Sequence, residues 1–341
     1  MAAIPTFIHE LKKHAGCTLR VFLTLVALAW SAACSSTPSA PTPSPVSPPT
    51  ATAEPPEVTC PAPVTVPAVT SAGAAVSFVV PEGRKGQGAV SVSCTPASGS
   101  TFPVGVTQAA CIATDALSRT GSCSFSVTVA APPRLQRTRV LAFGDSLTEG
   151  QTILSNDPYD LFAPPETAYP TVLRQLLSAR YIDQTITVFN RGRPGEQASR
   201  ALSRFIATFV ADAPDVVVLM EGYNDVKQNA DDVAGIANAI AGVTELAGEA
   251  RRRGARVFIC TLAPGRPGGR IEITRSALEF INERLRQVAR AEGAVLVDVF
   301  SALASDVNGN VTIDGLHLTP LGYRRVAEAV FAAIRADLEI R

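Results

Sequence analysis

The chain has 341 residues, of which 46% are hydrophobic and 18% charged, and its thirty basic residues balance thirty acidic ones. That length allows two or more domains, and the composition is that of a globular protein. The even charge balance leaves no electrostatic footprint for nucleic acid.

At the N-terminus Lys12, Lys13 and Arg20 precede a mostly apolar run, Val21 to Trp30, followed by Ser31-Ala32-Ala33-Cys34. The run falls short of the ~20 residues that a membrane helix needs. Residues 1–33 therefore read as a secretory signal peptide ending in a small-residue cleavage site. Cys34 at the junction resembles the lipidated cysteine of a bacterial lipoprotein, which implies a membrane anchor at Cys34 and a place in the cell envelope. Ser31 stands where such signals usually carry Leu, so ordinary cleavage after Ala29 or Ala33, giving a periplasmic or secreted protein, stays open.

Residues 34–57 read as a tether. From Ser35 to Glu57 the chain is almost wholly Pro, Ser, Thr, Ala and Val. Such a segment buries no core, and at ~3.1 Å per residue it reaches on the order of 70 Å.

Residues 58–130 change character, with Val and Thr in alternation, short strand-like runs, Gly and Pro turns, and Cys60, Cys94, Cys111 and Cys123. This pattern predicts a small β-sandwich, and an even cysteine count in an exported domain predicts disulfides. Three pairings are open. Cys94 with Cys111 and Cys60 with Cys123 are favoured, because the first brackets one connection and the second joins the first and last strands. Cys60-Pro61, Cys94 to Gly105, Cys111 to Asp115 and Cys123 to Val127 resemble the hyalin-repeat (HYR) module, an immunoglobulin-like domain. Leu117-Ser118-Arg119 replaces the usual Gly-Asn, a change of turn. The resemblance implies either a passive spacer or a contact with surface carbohydrate or protein.

Residues 131–138, with Pro132 and Pro133, form a second linker, and from 139 to 341 strand and helix signals alternate. Strands are predicted at Val140 to Phe143, Thr185 to Phe189, Val216 to Met220, Arg256 to Cys260 and Ala294 to Val299. Helices are predicted at Pro170 to Tyr181, Ala198 to Val210, Asp231 to Arg253, Thr274 to Glu292 and Pro320 to Leu338. In the last of these, Val326, Val330, Ile334 and Leu338 recur every four residues on one stripe. The alternation predicts a three-layer α/β/α domain with a parallel sheet. Cys260, inside an apolar strand, reads as a buried core thiol.

Chemistry concentrates at strand ends, where parallel sheets bind ligands. The strand Val140 to Phe143 stops at Gly144 and passes directly to Asp145 and Ser146. A serine hydroxyl needs a base, the base an orienting acid, and the resulting oxyanion needs donors. Of three histidines, His9 and His14 lie in the signal segment, which leaves His317 as base, with Asp314 three residues before it as orienter. The Ser146 N–H, the Gly195 N–H and the Asn224 amide would form the oxyanion hole. A nucleophile elbow of the G-x-S-x-G type is excluded, because Thr148 stands where it needs glycine. Taken singly, each block reads equally as turn or cap chemistry.

Taken together, the blocks resemble the SGNH (GDSL) hydrolase family: Gly144 to Leu147, the glycine block ending at Gly195, Gly222 to Asp225, and Asp314 to His317. Leu318, where many members have proline, is the one departure. The resemblance implies a flavodoxin-like five-stranded sheet, with Ser146 as nucleophile, His317 as base, Asp314 as its orienter, and Gly195 and Asn224 as oxyanion donors. It implies a serine esterase acting on small-molecule or polysaccharide esters, with carbohydrate O-acetyl esters first; the domain has no His/Cys/Asp cluster with metal spacing, so no metal or organic cofactor is expected. The alternatives are a lipase, lysophospholipase or thioesterase, or a surface-binding lipoprotein without activity. The loop Gly265 to Arg270 lacks the Lys-Ser/Thr ending of a phosphate loop and reads either as solvated or as a rim offering Arg266 or Arg270 to an anion. Tyr159 to Pro170 reads as a wall of the pocket.

Overall fold

The computed structural model describes residues 54–226, 233–271 and 273–340. The signal segment, Cys34 and nearly all of the expected tether lie outside the described residues. Pro56 and Glu57, at the end of that tether, already pair with Lys85 and Arg84 in a two-stranded ribbon.

Residues Val64–Pro67, Thr120–Ala130, Gly105–Thr114 and Ser91–Thr95 form a four-stranded sheet in that spatial order. Strict alternation drives it. Ala109, Cys111, Ala113, Phe125, Val127 and Val129 are buried, whereas Gln108, Ala110 and Ile112 between them are exposed. Phe78 covers the inner face, its ring edge-on to Phe125 at 4.9 Å and to Phe102 at 6.5 Å. Both favoured disulfides are present, Cys60–Cys123 and Cys94–Cys111. The altered turn is held by Asp115, whose carboxylate accepts from the N–H groups of Leu117, Arg119 and Gln87 and from the Arg119 side chain.

The second half is a five-stranded parallel sheet. Its strands are β1 (Arg139–Gly144), β2 (Thr187–Gly192), β3 (Val216–Met220), β4 (Arg256–Cys260) and β5 (Val295–Val297), in the order β2-β1-β3-β4-β5. The two middle strands β1 and β3 are buried almost without interruption, as continuous Val and Leu runs between two helical layers must be. Helices α1 (Tyr169–Arg180) and α5 (Pro320–Leu338) pack together on one face. Helices α2 (Leu202–Asp212), α3 (Val233–Arg252) and α4 (Arg275–Ala291) pack in succession on the other. Val326, Val330, Ile334 and Leu338 are all buried, as their spacing predicts.

Within this half the elements differ from the sequence expectation in several places. β2 runs on to Gly192, because Gly192 pairs with Gly144. The helix expected from Ala198 is split into a 3-10 turn (Ala198–Arg200) and α2. β5 stops at Val297, because the Asp298 side chain accepts the Ser301 N–H and starts a short helix, Val299–Ala304. A hairpin of Thr152–Ile153 with Leu161–Phe162 was invisible to periodicity, each of its strands being two residues long.

Residues Arg134–Leu135, expected in the linker, pair antiparallel with Glu339–Ile340. Arg180 grips Glu339 with Nε and Nη2 at 2.5 and 2.8 Å, and the Tyr181 hydroxyl donates to the same carboxylate at 3.0 Å. Gln184 bonds both the N–H and the C=O of Leu135, at 2.7 and 3.0 Å. Arg134–Leu135 and Glu339–Ile340 are thereby fastened together at the amino ends of the sheet strands.

A fragment from Glu57 to Ala131 should fold by itself with all four cysteines unreactive to thiol reagents until reduced. Chain entropy ranks the bridges: the sequence separation is 63 residues for Cys60–Cys123 and 17 for Cys94–Cys111. Replacing both cysteines of a bridge by alanine should cost roughly 4 kcal/mol for the long loop and roughly 3 kcal/mol for the short one, read from urea unfolding. A larger loss from the short loop would refute the ranking.

Candidate active site

The parallel register assembles the site. Gly144 lies opposite Gly192 on one side and Met220 on the other. The chain therefore leaves three neighbouring strands at one level, and Ser146, Gly195 and Asn224 follow within a few residues of those exits. Gly144 is required there by space, since a Cβ would stand 2.1 Å from Thr148 Oγ1 and 2.3 Å from the Met220 carbonyl oxygen.

Ser146 begins a single helical turn, Ser146–Glu149, capped by Asp145, whose carboxylate accepts the Leu147 N–H at 2.9 Å. The His317 loop is closed by a bridge between Val311 and Leu318 and by the Thr312 N–H donating to the His317 carbonyl at 2.8 Å. Thr319 then caps α5, accepting the Gly322 N–H at 3.1 Å, with Pro320 in the first turn.

Ser146, His317 and Asp314 meet as a buried chain. The Ser146 hydroxyl lies 2.9 Å from His317 Nε2, and His317 Nδ1 lies 2.6 Å from Asp314 Oδ2. Asp314 is completely buried. Its Oδ1 accepts from the Thr312 hydroxyl at 2.7 Å and from the Leu316 and His317 N–H groups at 3.0 Å each. Burial alone would raise its pKa, but the bonds from His317, the Leu316 N–H and Thr312 outweigh it and bring the carboxyl down to about 2. An ionised Asp314 places the imidazole proton on Nδ1 and leaves Nε2 to accept from serine.

Gly195 has φ +72°, a left-handed conformation that suits glycine. Neither its N–H nor that of Ser146 has a hydrogen-bond partner among the described residues. The Asn224 amide donates to the Glu196 carbonyl at 2.8 Å and to Asp145 Oδ2 at a longer 3.3 Å. Asn224 thus ties the Gly195 loop to the serine loop.

Sequence reasoning missed several supports. Arg204 pairs with the Glu196 carboxylate through Nε at 2.7 Å and through Nη2, lies 3.9 Å over the Phe143 ring and donates to the Arg191 carbonyl at 2.9 Å. Asp225 receives the Ala198 N–H at 2.8 Å and the Ser199 hydroxyl at 2.6 Å, fixing the start of the 3-10 turn. Glu221, next to Met220, is 2% exposed, and neither of its carboxyl oxygens has a partner among the described residues. Burial first and the Asp145 charge second push its pKa well up from the ordinary carboxyl value. Thr312, two residues before Asp314, was the one support with a local sequence signal. Cys260 is buried and its thiol is pushed up to about 12, which makes it inert. The described residues contain no cluster of His, Cys, Asp and Glu that could hold a metal ion.

Residues 142–325 match the GDSL-like lipase/acylhydrolase family, and residues 52–129 match the HYR domain. No curated protein matches the chain. Among solved structures, a lipase/acylhydrolase from Enterococcus faecalis is 20% identical, with 59% of this chain and 97% of that chain covered and a TM-score of 0.49. An acetylxylan esterase from Geobacillus stearothermophilus is 20% identical over 59% of this chain and 94% of that chain, with a TM-score of 0.47.

Because the Asp314 carboxyl is lowered from an ordinary 3.8 to about 2, its contribution to stability is fully present above about pH 4 and is lost as the pH falls through about 2. Asp314→Asn should therefore show a shallower acid decline of the urea midpoint across that window than the wild type. Parallel declines would contradict an ionised, hydrogen-bonded Asp314.

Proposed function

The chain belongs to the GDSL-like lipase/acylhydrolase family, and from that membership we propose that it is an exported serine esterase in which Ser146 forms an acyl-enzyme and carbohydrate O-acetyl esters are the first substrates. The observation that carries the reading is the unbroken Ser146–His317–Asp314 chain at 2.9 and 2.6 Å.

His317 Nε2 takes the Ser146 proton as Oγ adds to the ester carbonyl carbon. The carbonyl π pair moves to oxygen, where the N–H groups of Ser146 and Gly195 receive the charge. The 3.3 Å bond from Asn224 to Asp145 is the weaker of its two, so the N–H in that bond is the one an oxyanion would take over. Collapse of the tetrahedral intermediate expels the alcohol, which leaves with the proton from His317. Water, deprotonated by the same nitrogen, then releases the acid and restores Ser146. Asp314 holds the imidazolium throughout.

A second reading, a lipase, lysophospholipase or thioesterase, draws on Leu154, Leu161 and Phe162, which are exposed on the hairpin after the serine turn. A series of p-nitrophenyl esters from acetate to palmitate separates the two. The disulfides suit an oxidising compartment, and with the signal segment they support export with an anchor at Cys34.

Ser146→Ala should lose turnover and labelling by a fluorophosphonate probe together, and His317→Ala should approach that loss. Asn224→Ala removes one donor of three and should lower kcat by about 10² to 10³ with KM little changed. An Asn224→Ala enzyme at wild-type speed would remove it from the oxyanion hole. In a bacterial host the full chain should incorporate labelled palmitate and Cys34→Ser should not, whereas an unlabelled wild type would exclude the anchor.

A further inference from the structure

The loop after β4 is fastened to the backbone of the turn that carries the base. The Arg266 N–H donates to the Gly315 carbonyl at 3.0 Å, and the Ile271 N–H donates to the Asp314 carbonyl at 2.7 Å. Between them Gly269 lies so close that a Cβ there would meet Gly315 Cα at 2.3 Å. Arg270 sits between two of these attachments and is exposed. On the serine side, the hairpin that follows the Ser146 turn presents Tyr159, 72% exposed, from a connection tied by the Asp157 carboxylate accepting the Tyr159 N–H at 2.9 Å. The Arg270 guanidinium carbon lies 4.7 Å from the centre of the Tyr159 ring. This contact joins the loop fastened to the His317 turn to the hairpin that follows the Ser146 turn.

We propose that Arg270, braced by Tyr159, is a subsite for a carboxylate on the alcohol portion of the substrate, so that the preferred esters are those of acidic polysaccharides such as acetylated uronates. The inference rests on the ester-hydrolase reading above and names its substrate class. The ring of Tyr159 supports one side of the guanidinium, and among the described residues no hydrogen bond or ion pair uses its N–H groups. Its neighbours are engaged elsewhere, Arg266 with the Val311 carbonyl at 3.3 Å and Arg275 with Glu279 at 2.8 Å. The carboxylates of the hairpin connection, Asp157 and Asp160, form no ion pair with Arg270 among the described residues, and Asp157 accepts the Tyr159 N–H. A planar fork of unpaired N–H donors matches a carboxylate in two parallel bonds, and an aromatic support fixes the plane in which it is offered. A uronate chain has a carboxylate on every ring, so one ring can present its ester to Ser146 while another reaches the rim.

The test compares kcat/KM of the full chain on O-acetylated oligogalacturonate with kcat/KM on acetylated xylo-oligosaccharide, which carries the same acyl group without the charge. The wild type should favour the acidic ester, and the preference should shrink as salt is raised. Arg270→Gln should lower the acidic-to-neutral ratio by about 10- to 100-fold, chiefly through KM. Arg270→Lys should restore part of it, since an ammonium keeps the charge but not the fork. Tyr159→Ala should shift the ratio in the same direction by less. A brace with only a structural role would lower both rates and leave the ratio unchanged, and that result would overturn the proposal. A wild type that prefers the neutral ester, or an Arg270 effect confined to lysophospholipid esters, would overturn it equally. A wild type inactive on p-nitrophenyl acetate as well would instead bring down the esterase reading on which it stands.

Discussion

Everything at the site follows from a backbone constraint, the parallel pairing that sets Gly144 between Gly192 and Met220. Parallel strands side by side release their chains at a common level, and three loops that begin together can converge without long excursions. The serine turn, the Gly195 loop and the Asn224 turn do so, and Asn224 then bonds to both of the others. The fourth loop, with Asp314 and His317, is shaped by its own bridge and by the bonds that converge on one carboxylate. Position comes from the sheet, and orientation comes from the loop.

Charge is the second theme. Asp145, Glu196, Glu221 and Asp225 gather behind the serine and glycine loops, and Arg204 is the cation that bears on Glu221 among them. Four ionised carboxylates so close would repel one another strongly. The conflict is eased at Glu221 by burial that favours its protonated form, at Glu196 by pairing with Arg204, and at Asp225 by donors from the 3-10 turn. Asp314, on the opposite loop, follows the reverse logic, since it is equally buried but surrounded by donors. Two carboxyl groups with similar exposure thus have pKa values shifted in opposite directions, one without hydrogen-bond partners and one surrounded by them.

Much of this was legible in the sequence. The stripe of Val326, Val330, Ile334 and Leu338 fixed the facing of the last helix, and the blocks at Gly144, Gly195, Gly222 and Asp314 named residues that the structure brings to one edge. These signals are local, as periodicity and caps are. The rest was not local. Nothing near Glu196 in the sequence announces Arg204, because the pair exists only once α2 packs against β1. Glu221 looks like an ordinary surface acid until the helices on both faces of β3 exclude water from it. The hairpin of Thr152 and Phe162 was missed because two-residue strands carry no period.

The antiparallel pairing of Arg134–Leu135 with Glu339–Ile340 makes the catalytic domain a closed unit whose entry and exit lie side by side. Both are on the far side of the sheet from Ser146. This seam lies away from the catalytic loops, and a short bridge from Ile340 to Arg134 would join the two strands that form it. The fold is thus buttoned at a seam of its own, where the two strands hold each other and Gln184 holds Leu135.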